Sequence, residues 1–276
     1  MLHDKQDPES GLDKRFRDLI ERIWTTLLQD ASASDLARVR GYLSIMDGVG
    51  HVPPNTSERI VFRKLYFPGL SASPFLSATQ TGVKLSRSSF DDISEEWSRA
   101  FSCENANVID HSNLLSEPSS GRDRMYLCAY LKKDFEWIES AIQNFPLTAN
   151  YLQKYRVGSE AFFSSIKPGA QIPEHSDGAN YVSTVHIPIR LNNSSLTVAG
   201  TTHDYRAGEL VCFDSTFVHR VDNFGADSRD ILLFNIWHPE LTDVEIWAIE
   251  RIRNIWEGGF LFDPDHGPRR SLVDGN

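Results

Sequence analysis

The feature that most constrains the fold is a series of short strand-like segments in the second half of the chain. From about residue 155, runs of β-branched, aromatic and other apolar residues are divided by turn residues. The runs are EAFFSSI, STVHIPIRL, SLTVAG, ELVCFD, FVHRVDN and DILLFNIW. Several short strands at near-regular spacing predict an all-β core, either a sandwich or a jelly roll, and spacing alone does not separate the two.

The first 50 residues have a different pattern, which predicts helices. Residues 11–30 place apolar side chains at helical spacing on one face. A second helix is predicted after Ser34 and stops at the glycines of DGVG. Residues 51–58, HVPPNTSE, are predicted to be a linker, because paired prolines favour extended backbone.

Further helices are predicted on both sides of the strand-like region. Apolar spacing indicates one helix around residues 93–101 and another over residues 131–145, and both are expected to brace the sheet. A capping box of Thr242 and Glu245 begins a last helix, which two glycines at 258 and 259 are expected to end. The predicted organisation is an N-terminal helical segment at 1–50, one domain at 56–260 and a C-terminal tail at 261–276.

Composition restricts the kinds of molecule that this protein is expected to bind and the compartment in which it is expected to act. A formal net charge of −10 argues against a nucleic-acid surface, because phosphate binding needs clustered lysine and arginine. No apolar run approaches the roughly 20 residues that a membrane span needs, and the N-terminal residues lack the pattern of a secretory signal. Three widely spaced cysteines favour reduced thiols over a disulfide framework. We expect a cytoplasmic protein that acts on a small molecule or a peptide.

The segment PEHSDGANY contains a candidate metal-binding pair, His175 and Asp177. Alternate residues of an extended segment point to the same side, so both side chains can face one ion. His219, in a later strand-like run, offers a third ligand. Two histidines and one carboxylate form the facial triad of non-haem iron(II) oxygenases, which leaves three metal positions for a 2-oxo acid and dioxygen.

Arg229 lies ten residues after His219 and opens the last strong strand run. An adjacent antiparallel strand can bring its side chain to the same end of the β core. Arginine binds a carboxylate through two parallel hydrogen bonds, a geometry that lysine cannot reproduce. These residues together predict a site for a metal and an oxo acid.

Longer segments resemble the aspartyl/asparaginyl β-hydroxylases, within the iron(II)- and 2-oxoglutarate-dependent dioxygenases. The similar segments are KLYFPGLSASPF, FFSSIKPGAQIPEHSD, VHIPI and GELVCFDSTFVHRVDN…SRDILLFNIWHPELT, and the resemblance covers about residues 60–245. It implies that His175 and His219 bind iron and that Arg229 holds the distal carboxylate of 2-oxoglutarate. It also implies that Ser164 and His186 contact this cosubstrate.

The resemblance selects one of the two β architectures. It implies a mainly β chain whose core is a double-stranded β-helix, a jelly roll of the cupin type, with flanking helices and an N-terminal helical segment. The implied reaction is hydroxylation of the β-carbon of an aspartyl, asparaginyl or related amino-acid unit. That unit is expected to be free, in a peptide or tethered to a carrier protein, and succinate and carbon dioxide are released.

The chain departs from the resemblance at Asp177. The best-known animal members carry glycine at this position and bind iron through two histidines, so we expect this chain to belong with the members that have three ligands. The secreted folded substrate of the animal enzymes is not carried over to this chain.

Each candidate also has a structural interpretation. His175 can be a surface histidine, Asp177 before a glycine can mark a turn, and His186 can be a satisfied core histidine. Arg229 can form a solvated ion pair with a neighbouring aspartate. For the whole chain, the alternatives are a non-catalytic jelly-roll protein that binds a metal and a small acid, another oxidation of a small acid or lipid, and a zinc hydrolase.

Overall fold

The structure, a computed structural model, describes residues 8–102, 108–115 and 125–260. Contacts group the chain into two compact units. The first contains the described residues within 1–52, 66–69 and 241–276, and the second contains those within 53–65 and 70–240. The predicted division at 1–50, 56–260 and 261–276 stays a prediction, and the tail at 261–276 lies outside the described residues.

Seven α-helices occur in the described part of the chain. They are α1 (Pro8–Leu27), α2 (Ala37–Met46), α3 (Ala78–Thr81), α4 (Arg87–Ser102), α5 (Glu139–Asn144), α6 (Pro146–Leu152) and α7 (Asp243–Phe260). Short 3-10 helices lie at Arg63–Leu65 and Ser112–Leu114. None of these helices is long and apolar enough to cross a bilayer.

Twelve strands are described. They are β1 (Phe75–Leu76), β2 (Val108–Asp110), β3 (Tyr126–Lys133), β4 (Glu136–Trp137), β5 (Val157–Ile166), β6 (Gln171–His175), β7 (Val182–Arg190), β8 (Ser194–Val198), β9 (Thr201–Asp204), β10 (Val211–Phe213), β11 (His219–Asn223) and β12 (Arg229–Trp237). All six strand-like runs of the sequence form strands, which confirms that prediction.

The strands form two antiparallel sheets within the second unit. The eight-stranded sheet has the order β1-β10-β7-β12-β5-β3-β2, with β4 paired to β3, and the four-stranded sheet has the order β6-β11-β8-β9. This arrangement confirms the mainly β, double-stranded β-helix fold of the cupin or jelly-roll type. The two sheets are not joined into a closed barrel.

Two apolar cores cover the two faces of the large sheet. One core joins the sheet to α4 and α6, where Trp97 stacks on Phe163 with ring centroids 4.7 Å apart. The other core lies on the opposite face of the large sheet, where Phe162 and Phe213 pack with Val198 and Val221 of the small sheet. Successive residues of β5 therefore alternate between the two cores, as strand geometry requires.

The predicted helix over residues 131–145 is wrong in its first half. Leu131 belongs to β3, and only Glu139–Asn144 is helical. Alternate residues of β3 enter opposite cores, so both faces of the strand are apolar and its sequence lacks a clean period of two. Phe135 has φ of 69° and cannot continue a right-handed helix. The predicted helix at residues 93–101 is confirmed as part of α4.

The first unit contains α1, α2 and α7. The predicted capping box is confirmed, because the Thr242 backbone N–H donates to Glu245 Oε2 at 2.9 Å and the Glu245 N–H donates to Thr242 Oγ1 at 3.2 Å. Arg38 also donates to Glu245, and this ion pair links α2 to α7. The prediction that α7 ends at residues 258 and 259 is wrong, since α7 continues to Phe260. Glycine permits a left-handed helix end but does not impose one.

Candidate metal centre and anion pocket

The first two candidate ligands lie directly opposite each other on paired strands. β6 and β11 are antiparallel, and His175 is the register partner of His219. Directly opposite residues project to the same face of a sheet, and the two imidazole rings lie 4.1 Å apart between centroids. The ladder shifts by one residue between His219 and Val221. Pro173 lies in the shifted part of β6, and bulges tolerate its lack of an N–H donor.

The same hydrogen bond orients both imidazoles. His175 Nδ1 lies 2.8 Å from the carbonyl oxygen of Pro173, and His219 Nδ1 lies 2.8 Å from the carbonyl oxygen of Phe217. A carbonyl oxygen can only accept, so Nδ1 carries a proton in each ring, and in the neutral ring Nε2 has a free lone pair. Metal-binding histidines commonly have this backbone partner, because it fixes both the tautomer and the ring orientation.

Asp177 completes a group of three. Its Oδ1 lies 4.0 Å from His175 Nε2, and one donor atom from each of His175, Asp177 and His219 lies within 4.8 Å of the other two. His219 is buried, whereas about half of the Asp177 side chain is exposed. Burial lowers the pKa of His219, and the Asp177 charge opposes this shift. The neutral imidazole that a metal requires is therefore favoured.

Three hydrogen bonds hold the loop that carries Asp177. The Asp177 N–H donates to the carbonyl oxygen of Ser215 at 3.0 Å, and the Ser176 hydroxyl donates to that of Ile60 at 2.7 Å. Gly178 accepts at its carbonyl from the Phe62 N–H at 3.0 Å. Residues far away in sequence thus fix the backbone on both sides of the carboxylate.

Gly178 is required at its position for two reasons. Its φ is +72°, in the left-handed region that L side chains rarely adopt. A Cβ at this position would also lie 2.2 Å from Cδ2 of Phe62. The Asp-Gly pair is therefore both a turn, as its structural interpretation holds, and the support that places Asp177 beside the histidines.

The sequence candidate Arg229 is buried, with a relative exposure of 1%. One guanidinium nitrogen donates to the Tyr205 hydroxyl at 3.0 Å, another lies 3.4 Å from Ser164 Oγ, and Nε has no partner. No carboxylate of the described residues forms an ion pair with it. The alternative of a solvated ion pair is wrong, because the neighbouring Asp230 pairs with Arg190 at 2.5 Å. A buried guanidinium without a counter-ion is costly, so this pocket favours an anion.

Tyr205 connects Arg229 to His186. Its hydroxyl accepts from Arg229 and lies 2.7 Å from His186 Nδ1. Because the Tyr205 hydroxyl accepts from Arg229, its own hydrogen is available to Nδ1 of neutral His186, which places the imidazole proton on Nε2. Burial, with the charge of Arg229, places the pKa of His186 well below its usual value, so the ring is neutral. His186 Nε2 is buried without a partner. It is a second donor available to an anion.

One aromatic ring contacts both groups of residues. The Phe213 centroid lies 5.1 Å from that of His186 and 5.2 Å from that of His219. The donors for an anion and the donors for a metal are therefore separated by about one side chain inside the β core.

Comparison with known proteins now gives the family. The model of the family described as "Aspartyl/Asparaginyl beta-hydroxylase" matches residues 87–239, more than half of the chain. This chain belongs to that family. The match confirms the resemblance of the sequence, and the hydroxylases of the family indicate an enzyme.

Relatives of this β-hydroxylase-family chain are distant. Aspartate beta-hydroxylase domain-containing protein 2 of Xenopus tropicalis is 26% identical over 202 residues, which cover 68% of this chain and 53% of that protein. The aspartyl/asparaginyl beta-hydroxylase of Homo sapiens is 27% identical over 112 residues, 38% of this chain and 15% of that protein. The chain thus spans about half of the first relative and a small part of the second.

Solved structures similar to this β-hydroxylase-family chain include cupin domains. The Cupin_2 domain of an XRE family transcriptional regulator from Enterobacter cloacae gives a TM-score of 0.30 at 13% identity, covering 41% of this chain and 98% of that one. An RmlC-like cupin from Methanocaldococcus jannaschii gives a TM-score of 0.25 at 20% identity, covering 29% of this chain and 72% of that one.

All six predicted site residues fall into two adjacent groups. His175, Asp177 and His219 form the first group. Arg229, Ser164 and His186 form the second, joined by Tyr205. Sequence analysis missed Tyr205 because it follows β9 in a turn-rich segment, and neither strand alternation nor a motif marks it.

We predict that Gly178→Ala weakens metal binding by about 10- to 100-fold, because it displaces the backbone that supports a ligand. The metal affinity can be measured by calorimetric titration with iron(II) under nitrogen. Gly82→Ala is the matched control, since Gly82 has φ of +69° but no atom within 4 Å of the added Cβ. Both variants should lose about 1–2 kcal/mol of stability from the left-handed backbone. Equal metal affinities in the two variants would contradict the proposed support.

Proposed function

We propose that this protein is an iron(II)- and 2-oxoglutarate-dependent dioxygenase that hydroxylates an unactivated C–H bond. The observation that carries the proposal is the pairing of a three-donor group with a buried, unpaired guanidinium across one phenylalanine ring. A metal-binding protein requires the first feature alone. An oxidation that uses a metal and a dicarboxylate together requires both.

The donor set fits iron(II). Two neutral imidazoles and one carboxylate are the ligands of the facial triad, and one side of the group is open because His175 and Asp177 are partly exposed. His175, Asp177 and His219 would hold the metal through two Nε2 atoms and a carboxylate oxygen. Bound iron would supply the oxidising chemistry, in which 2-oxoglutarate, dioxygen and R–H give succinate, carbon dioxide and R–OH.

The second group fits the distal carboxylate of 2-oxoglutarate. Arg229 would supply a charge-assisted hydrogen bond, and Ser164 Oγ and His186 Nε2 would supply neutral ones. Tyr205 would act as a positioning residue, since its hydroxyl fixes one end of the guanidinium and the tautomer of His186. Burial of the pocket strengthens each of these interactions by excluding water.

The proposed substrate is an amino acid or peptide unit hydroxylated at the β-carbon. The name of the family supports an aspartyl, asparaginyl or related unit, either free, in a peptide or tethered to a carrier protein. We also propose that the protein acts in the cytoplasm and binds neither nucleic acid nor a membrane. A different oxidation of a small acid at the same site, and a non-catalytic protein that binds a metal and a small acid, are the alternatives that the experiments below separate.

We predict that His175→Ala, Asp177→Ala and His219→Ala each abolish succinate release while the β core stays folded, because each removes a ligand but no large apolar side chain. Succinate is measured with iron(II), 2-oxoglutarate and a panel of amino acids and peptides, and folding is measured by circular dichroism. Product that contains isotope from labelled dioxygen would exclude a zinc hydrolase. Absence of succinate from the unmodified protein with every panel member would favour the binding-protein alternative. Full activity in any two variants would contradict the triad.

We predict that Arg229→Leu weakens 2-oxoglutarate binding by about 2–5 kcal/mol, because a buried carboxylate loses its charged partner.

Tyr205→Phe keeps the ring and removes only the hydroxyl, so the loss of 2-oxoglutarate binding free energy should be about 1–3 kcal/mol. It should raise the KM for 2-oxoglutarate more than it lowers kcat. Tyr155→Phe is the matched control, because it removes a hydroxyl that donates to the Lys84 carbonyl oxygen. An unchanged KM for 2-oxoglutarate in Arg229→Leu would contradict the proposal that Arg229 binds the cosubstrate.

A further inference from the structure

Glu160 lies on β5, and its carboxylate has no role in the proposed reaction. The face of β5 that packs against the small sheet is called the inner face, and the core on that side is called the inner core. Its neighbour Ala161 packs in the core beside the helices, whereas Phe162 packs in the inner core. Strand alternation therefore places Glu160 on the same face as Phe162 and Ser164. The pairing of β5 with β3 shifts register after Tyr130, and the pairing of β5 with β12 shifts register after Phe234. Bulges of this kind re-aim side chains beside active sites.

Glu160 lies at the same end of the large sheet as the loop that carries Asp177, because Val157 of β5 pairs with Ile236, which pairs with Ser183 at the start of β7. Burial and then the charge of Asp177 raise the pKa of Glu160 to about 7, and Asp134 adds to the shift. Lys133 is the one cation that opposes this shift among its described neighbours. Its ammonium lies over the Tyr130 ring, 5.4 Å from the centroid. The protein charges around Glu160 are therefore negative on balance before a metal binds.

No described residue forms a hydrogen bond or an ion pair with the side-chain carboxylate of Glu160, although this side chain is half-buried. The rings of Tyr130 and Phe162, whose centroids lie 4.7 Å apart, pack on the same face of the large sheet. A half-buried carboxylate without a donor is stabilised by any cation that can reach it. Because this face of the large sheet packs against the small sheet, whose strands β6 and β11 carry His175 and His219, a ligand at the metal centre can bring such a cation.

We propose that Glu160 selects the substrate by binding a protonated amine or a guanidinium of it. This inference rests on the proposed function, because it assigns the substrate class of the same site. The free α-ammonium of an amino acid, or of an aminoacyl unit on a carrier, fits this role. An internal peptide residue has no such group, since its nitrogen is acylated, and would need a cationic side chain.

The experiment compares probe pairs that differ in charge. L-asparagine against N-acetyl-L-asparagine tests the α-ammonium, and L-arginine against L-citrulline tests a side-chain cation. The full chain with iron(II) and 2-oxoglutarate is heated under nitrogen with each probe, and the shift of its unfolding midpoint against probe concentration gives an apparent Kd. In at least one pair the charged probe should bind about tenfold tighter or more.

Glu160→Gln should remove that preference, because it keeps the shape of the side chain and loses the charge. Glu136→Gln, which removes a carboxylate on exposed β4, is the matched control and should keep the preference. Glu160→Lys should disfavour the charged probe. Circular dichroism checks that each variant is folded.

The proposal is overturned if the unmodified protein binds both members of each pair equally, or binds none of the four probes. It is also overturned if Glu160→Gln keeps the preference of the unmodified protein. Binding under nitrogen involves no turnover, so it judges Glu160 separately from the reaction. A missing succinate signal in the presence of dioxygen would count against the proposed function alone.

Discussion

The register of β6 against β11 is the constraint on which the rest of the site depends. Because His175 pairs directly with His219, the two imidazoles share one face, and the same backbone hydrogen bond leaves both Nε2 atoms free. A slip of one residue would turn one ring to the opposite face of the sheet. The bulge that follows His219 and the hydrogen bonds of the next loop hold this register at the edge of the small sheet. The candidate metal centre is therefore a consequence of strand pairing, and only Asp177 depends on a loop.

The buried charge of Arg229 imposes a second constraint. A guanidinium that is 1% exposed and has no carboxylate among its described neighbours destabilises the folded protein unless an anion occupies the pocket. The hydroxyl of Tyr205 and its ring, 5.0 Å from the guanidinium carbon, offset part of this cost. On the proposed function, binding of 2-oxoglutarate supplies the missing charge. The stability of the core and the affinity for the cosubstrate would then be linked through one residue.

The sequence predicted what local patterns encode. Six strands follow from alternation and turn residues, and the ligands follow from a short motif and its resemblance to a family. The segment predicted as a helix over residues 131–145 includes the last residues of β3, because both faces of this strand are buried and the period-two signal of a half-exposed strand is missing. Tyr205 and Glu160 could not be predicted, because their roles depend on partners that only the pairing of distant strands brings near. The sequence shows the residue types, whereas the buried position of Arg229 and the lack of a partner for Glu160 exist only in three dimensions.

The two constraints give the site opposite charges at its two ends. Before a metal binds, Arg229 makes the buried end positive, and Asp177 with Glu160 makes the end toward solvent negative. On the proposed function, the anionic cosubstrate would be drawn toward Arg229, while a cationic group of the substrate would be held beside Glu160. A cationic group placed at the buried end would instead lie beside the Arg229 guanidinium, and a further carboxylate placed beside Glu160 would meet a like charge. Because both errors cost free energy in a partly dehydrated site, the charge pattern alone orders the two ligands along one axis. On the proposed function, the C–H bond to be oxidised would then lie beside the group formed by His175, Asp177 and His219.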